Sequence, residues 1–158
     1  MNSAIPADAE RRLLAARRAG ARLAAVQALY QMEQTEQSAR SVIADFMEDR
    51  LGLNDEGEPV EEADPDIFKA IVSGTVERQE AIDSAIMKRL ASNWKIERLD
   101  APSRAILRAG VYELIAEISL PSQIILDEYV SLAHAFFEGA EPKFINALLD
   151  AVSRDIRG

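Results

Sequence analysis

The sequence predicts an all-α protein: a single-domain bundle of about six to seven helices. Three observations predict it. Apolar residues recur at helical spacing along most of the chain. No segment alternates apolar and polar residues over the length of a strand. Glycine and proline are sparse, 7 and 6 in 158 residues, so long helices go uninterrupted. A chain of this length suits one core and can bury roughly 70% of its unfolded surface.

The elements follow in order. The first helix is expected from about Asp8 to about Glu36. Leu23, Val26 and Tyr30 fall within an arc of about 60°, which marks a buried stripe. Arg18 and Arg22 are i, i+4 neighbours beside it, with Arg11 on the same side of a continuous helix. Gly20 weakens a helix by about 1 kcal/mol, so a break is allowed there. A short second helix carries Val42, Ile43, Phe46 and Met47. The segment 52–64, GLNDEGEPVEEAD, reads as a solvated, self-repelling loop. Asp64–Pro65 starts the next helix, with an N-cap acid and proline at the first helical position. Its stripe is Phe68, Ile71, Val72, Thr75, Gln79, Ile82, Ile86 and Leu90, ending near Ser92–Asn93. A short irregular turn from Trp94 to Leu99 follows, with Trp94 plugging the edge of the core. Asp100 caps a helix with Pro102 in its first turn, which buries Leu107, Val111, Leu114 and Ile118. A further helix starts near Pro121 and ends before Gly139, with Ile125, Tyr129, Leu132 and Phe136 on one face. The last starts at Pro142 and carries Phe144, Ile145, Leu148, Leu149, Val152 and Ile156.

The formal net charge is −9, from 27 Asp+Glu against 18 Lys+Arg. On average that disfavours nucleic acid as a partner. The distribution changes this. Residues 45–66 hold ten acids and one base, Arg50, which accounts for the whole excess. The N-terminal end is basic, with Arg11, Arg12, Arg17, Arg18 and Arg22 against Asp8 and Glu10. Residues 1–17 thus form a basic arm, able to extend the first helix, ahead of a helical domain over 18–158. Arginine presents a planar fork that matches phosphate and stacks on bases. The stretch reads either as a phosphate-binding surface or as arginines that snorkel around a helix end. A transit peptide is poor in acids, and Asp8 and Glu10 argue against one.

Chemistry is mostly excluded. There is no cysteine, hence no disulfide framework and no thiolate metal site. No stretch approaches the roughly 18 apolar residues of a membrane span, so no membrane partner is expected. No two glycines have G-x-G spacing, which removes the dinucleotide turn and the P-loop. His134 is the single histidine, and Ser131 stands three before it, so no Glu-x-x-His pair exists. It reads as a helix-face residue. Glu113 and Glu117 read as solvated charges that repel at i, i+4. No arrangement suggests covalent or acid–base catalysis, and no metal or cofactor is expected.

Four blocks carry a resemblance. They are 18–30 (RAGARLAAVQALY), 97–100 (ERLD) with 104–114 (RAILRAGVYEL), 125–133 (ILDEYVSLA) and 143–150 (KFINALLD). In this order and spacing they resemble the bacterial NusB transcription antitermination family. The resemblance implies an all-helical fold of about seven helices. It implies binding of single-stranded boxA RNA in nascent ribosomal RNA transcripts. The implied partner is the small-subunit ribosomal protein that acts as NusE, within the antitermination complex on RNA polymerase. It implies a cytoplasmic protein with no catalytic activity and no cofactor. Monomer and homodimer are both compatible with it. Arg18 and Arg22 match the family's arginine-rich motif, and Arg17, Arg11 and Arg12 extend the basic stretch. Tyr30 matches a tyrosine near both the RNA and the partner. Glu97 and Arg104 match partner-surface positions, and Lys143 and Phe144 match an RNA-binding pair. Arginine and lysine neutralise phosphate, and an exposed aromatic ring offers a stacking face. Phe144 also sits on the last helix's apolar stripe, which makes a core role the alternative. The sequence departs from the family at Ser103, where glutamate is usual, at Ala147, where glycine is usual, and at Ala19–Gly20, which thin the arginine run. The acidic loop resembles an insertion. The same domain opens certain ribosomal RNA cytosine methyltransferases, whose catalytic domain would need far more chain. A protein–protein adaptor without direct RNA contact is the competing reading.

Overall fold

The computed structural model describes residues 6–49, 63–92 and 94–158. Among the described residues the chain forms seven α-helices and one 3-10 turn, with no strand. They are α1 (Ala7–Thr35), α2 (Ala39–Asp49), α3 (Pro65–Glu77), α4 (Gln79–Met87), the 3-10 turn Ile96–Arg98, α5 (Ala101–Ala116), α6 (Ser122–Phe136) and α7 (Glu141–Arg157). This is the all-α bundle expected from the sequence.

Helix α5 is the axis of the bundle. It packs against α1, α3, α4, α6 and α7, so it is covered on nearly every side. Its buried residues include Ile106, Leu107, Val111 and Leu114, together with Ser103 and Glu113. The surrounding helices each contribute one apolar stripe: Val26 and Leu29, Phe68 and Val72, Ile82 and Ile86, Ile125 and Tyr129, Ile145 and Leu149. The two acid caps form as expected. Asp64 accepts from the backbone N–H groups of Asp66 and Ile67, and Asp100 accepts from that of Ser103. These bonds satisfy amides that a helix start leaves without partners.

Helix α1 runs through Gly20 without a break. The glycine serves a close approach instead. A Cβ there would meet the Ala63 Cβ at 3.3 Å, tighter than ordinary contact. Beside it, the Asp64 N–H donates to the Arg17 carbonyl at 3.1 Å. Ala63 and Asp64, assigned by sequence to a solvated loop, are therefore docked on α1, with Ala63 in the core. The remainder of that loop, 52–62, lies outside the described residues.

Several expectations need correction. The single helix from 65 is divided at Arg78, whose φ of −107° and ψ of 16° depart from helical values, into α3 and α4, although the hydrogen bonds Arg78 N–H to Gly74 and Ile82 N–H to Arg78 continue across it. The cause is a change of packing partner: α3 rests on α1, α2 and α5, whereas α4 rests on α5 and α7. Gly74 permits this approach, since a Cβ there would lie 2.1 Å from the Tyr112 ring. Gln79 is exposed and leaves the stripe, and the helix ends at Met87. Ile118 lies beyond the end of α5 and is exposed. Trp94 does not plug the core but stands half exposed. On α1 the buried face is Ala21, Arg22, Ala24, Ala25, Val26, Ala28 and Leu29, rotated away from Leu23 and Tyr30.

Candidate nucleic-acid interface

The sequence-predicted residues divide into two groups. Arg22 and Arg104 are structural. Arg22 is 3% exposed, on the face of α1 that meets α5. Its Nε and Nη2 donate to the two carboxylate oxygens of Glu113 at 2.8 and 3.0 Å. The Tyr129 hydroxyl donates to the same carboxylate. Burial opposes the charged guanidinium, but the Glu113 carboxylate outweighs it and leaves Arg22 more basic than usual. Burial first, and then the Glu113 charge, push the Tyr129 phenol well above its ordinary value. Glu113 is thus not a solvated acid, and Arg22 is not available to RNA. A charge taken out of water must be paired, and these two serve each other.

Arg104 is engaged in the same way at the other end of α5. Its Nε donates to Glu33 at 2.9 Å, and its Nη1 donates to the Leu99 and Ile96 carbonyls at 2.6 and 3.3 Å. Arg108 joins through Nε to Asp83 at 2.8 Å and through Nη1 to Glu33 at 3.4 Å. The hydrogen bond from Arg104, opposed by partial burial, holds the Glu33 carboxyl below its usual range. Arg104 therefore clamps the 3-10 turn to α1 and α5. Where the resemblance implies a partner contact, the structure shows Arg104 as an internal strut.

The second group reaches solvent. Arg11 and Arg12 are exposed, Arg11 beside Asp8 at 2.5 Å. Arg17 and Arg18 are partly buried, and neither has an ion-pair partner among the described residues. Arg18 lines a cleft with Glu113 and Glu117, on the side of α1 that faces α3. Glu97 and Lys143 are exposed and free of ion pairs among the described residues. Arg12 and Tyr30 share one face of α1, five turns and about 27 Å apart.

Four large aromatic rings are exposed: Tyr30 at 41%, Trp94 at 50%, Phe136 at 39% and Phe144 at 40%. They line two grooves, each bordered by residues at the start of α5. Tyr30, Phe136 and Pro102 line one. Trp94, Phe144, Asp100 and Ser103 line the other, with a cavity of about 550 Å³. Phe144 is thus a surface residue despite its place on the apolar stripe of α7. The sequence reading missed Phe136 and Trp94 by assigning both to the core, and it did not single out Arg98 beside Trp94. Exposed aromatic faces flanked by unpaired cations can stack bases and neutralise phosphate. Among the described residues no group of three or more His, Asp or Glu could hold a metal ion. No described helix is long and apolar enough to cross a membrane.

Comparison with known proteins places this chain in a family. Residues 19–154 match the model of the NusB family. The transcription antitermination protein NusB of Hyphomonas neptunium is 60% identical over 157 residues, 99% of each chain. That of Maricaulis maris is 51% identical over 140 residues, covering 89% of this chain and 88% of the relative. Among solved structures, T. maritima NusB superposes with a TM-score of 0.73 at 25% identity, over 89% of this chain and 93% of that one. A structure of antitermination factors NusB and NusE in complex with double-stranded RNA gives 0.74 at 27% identity, over 88% and 97%. A seven-helix bundle built on a buried α5, matched over nearly its whole length by these proteins, belongs to the NusB family.

Proposed function

We propose that this chain is an antitermination factor that binds single-stranded, boxA-type RNA of nascent ribosomal transcripts together with the ribosomal protein acting as NusE. The observation that carries the reading is the set of exposed aromatic rings in the two grooves at the start of α5, with Arg98 lining one of them and the exposed Lys143 preceding Phe144 in the chain. Bases of a duplex are already stacked, so four open ring faces suit unpaired bases. Family membership supports the role, and a solved relative held with NusE supports the partner. Arg11, Arg12, Arg17, Arg18, Lys143, Phe144 and Tyr30 are the proposed RNA ligands. Tyr30 and Glu97 are the proposed partner contacts. The role is binding, not catalysis, and it is exercised where the polymerase transcribes, in the cytoplasm.

The test is a titration of boxA RNA at several salt concentrations, with and without the NusE protein. Three to five phosphate contacts would give a log K against log salt slope of about −2 to −3.5. Arg11, Arg12 and Arg18 replaced together by alanine should weaken binding and lower that slope by about 2. Equal affinity and slope for variant and parent would favour an adaptor that holds NusE without touching RNA through this arm.

A further inference from the structure

A small cleft lies between α1, α3 and the turn that leaves α5. Arg18 and Arg22 line it from α1, and Glu113 and Glu117 line it from the last turn of α5 and its end. Ile67 and Ile71 of α3, with Leu120 of the turn, supply an aliphatic wall. The volume is about 190 Å³, below the roughly 300 Å³ at which sites for drug-sized molecules begin. The four charges divide in two. Arg22 and Glu113 are buried and serve each other. Arg18 and Glu117 are partly buried, and neither has an ion-pair partner among the described residues. They border one cleft with opposite charge, yet do not pair with each other. A charge that has lost part of its hydration without gaining a partner is unfavourable until something pairs it. The cleft is also held in shape. Arg157 donates to the Glu117 and Leu120 carbonyls and fixes the turn, and Arg22 bonded to Glu113 fixes α1. A pre-formed site spares a ligand the cost of ordering it.

We propose that this cleft binds a free aliphatic α-amino acid, with its carboxylate on Arg18, its ammonium on Glu117 and its side chain against Ile67, Ile71 and Leu120. Two guanidiniums and two carboxylates leave the lining with no formal net charge. A phosphate or other anion would meet Glu113 and Glu117, and a cation would meet Arg18 and Arg22. A zwitterion matches both signs at once. A guanidinium presents paired N–H donors to a carboxylate, and a carboxylate accepts from the donors of an ammonium. An α-amino acid holds both groups on one carbon, so it fits a small cleft, and its side chain is free to lie on an apolar wall. The Ser119 hydroxyl also lines the cleft, and it can accept from the ammonium or donate to the carboxylate. The site stands apart from the RNA reading, but one consequence rests on it. Arg18 is also a proposed RNA ligand, so filling the cleft takes that cation from RNA.

The experiment titrates the isotope-labelled full chain with L-leucine and follows the backbone amide resonances of Glu117, Ser119 and Leu120. Two analogues each remove one charge: leucinamide lacks the carboxylate, and 4-methylpentanoate lacks the ammonium. The expected result is saturable binding of leucine at about 1 mM, in the range open to so small a ligand. Each analogue should bind about tenfold more weakly, since each loses a charged hydrogen bond. Arg18→Gln should erase the difference between leucine and leucinamide, and Glu117→Gln that between leucine and 4-methylpentanoate. Neither side chain is paired in the fold, so both variants should keep the parent's stability within about 0.5 kcal/mol. A parallel titration of boxA RNA measures the competition. Leucine is neutral overall and does not change ionic strength, so the effect is separable from screening. Saturating leucine should weaken RNA binding and lower the salt slope by about 0.7, the share of one phosphate contact on a single strand. Amide resonances that do not move up to about 20 mM leucine would overturn the site and leave the RNA reading intact. Analogues that bind as well as leucine would overturn the zwitterion assignment. Leucine binding with RNA affinity and slope unchanged would overturn the competition alone. Absence of RNA binding, with the NusE protein present as well, would overturn the RNA reading and with it the competition, while the leucine titration still decides the site.

Discussion

Arg22 lies in a basic stretch and reads as a phosphate ligand until its neighbours in space are known. The structure sets it against a carboxylate 91 positions away. Removing one member of a buried pair leaves the other charged and unpaired, which costs about 3–5 kcal/mol. Arg22→Ala should therefore lower stability by about that much in urea unfolding, whereas Arg12→Ala should leave stability within about 0.5 kcal/mol. A stable Arg22→Ala protein with impaired RNA binding would restore Arg22 to the interface. Glu33 supports a second expectation. Its folded pKa lies below its unfolded one because Arg104 stabilises the carboxylate. The stabilisation is complete above the ordinary glutamate value of about 4.3 and is lost as the pH falls through the lower folded value. Urea midpoints measured through that window should fall less steeply in Glu33→Gln than in the parent, and parallel curves would show that the pair carries no acid sensitivity.

Helix ends illustrate what local sequence does and does not say. The starts of α3 and α5 are legible, since an acid followed by proline within the first turn is a short-range signal. The end of α5 is closed from a distance. Arg157, at the end of α7, donates to the carbonyls of Leu114, Glu117 and Leu120 at 3.0, 2.8 and 2.5 Å. Hydrogen bonds from a charged donor contribute about 1.5–3 kcal/mol each at most, and these three share one guanidinium. Arg157→Ala should lower stability by about 2 kcal/mol and raise amide exchange first in α7 and the turn at 117–121. Uniform exchange across the bundle would mean that the arginine does not tie these elements together. The break at Arg78 belongs to the same class: the hydrophobic spacing is helical on both sides, so it becomes visible only in the folded backbone.

The molecule as a whole is acidic, yet its excess charge lies within residues 45–66. The C-terminal end of that segment is docked on α1 at Arg17, through the Asp64 N–H. Net negative charge lowers encounter with RNA, most of all at low salt. Replacing Asp55, Glu56, Glu58, Glu61 and Glu62 by their amides should raise nonspecific RNA affinity severalfold at about 50 mM salt, and the gain should vanish near 0.5 M. Asp64 is kept in this variant because it caps α3. Affinity that does not change at low salt would show that the segment exerts no long-range repulsion.

The family blocks, the helical class, the two acid caps and most of the apolar stripes were legible in the sequence, because each depends on spacing within one helix. What the sequence could not decide is which side of each helix meets another. The stripe on α1 seemed to include Tyr30, but α5 lies against the alanine-rich face, so Tyr30 faces solvent and Arg22 is enclosed. Trp94 and Phe136 are as apolar on paper as any core residue, and they are exposed because no described helix packs over the two grooves at the start of α5. Arg22 with Glu113, and Arg104 with Glu33, are pairs between distant segments. Residue type specifies that a buried charge needs a partner, and only the folded arrangement of α1 against α5 decides which one it finds and which charges are left for RNA.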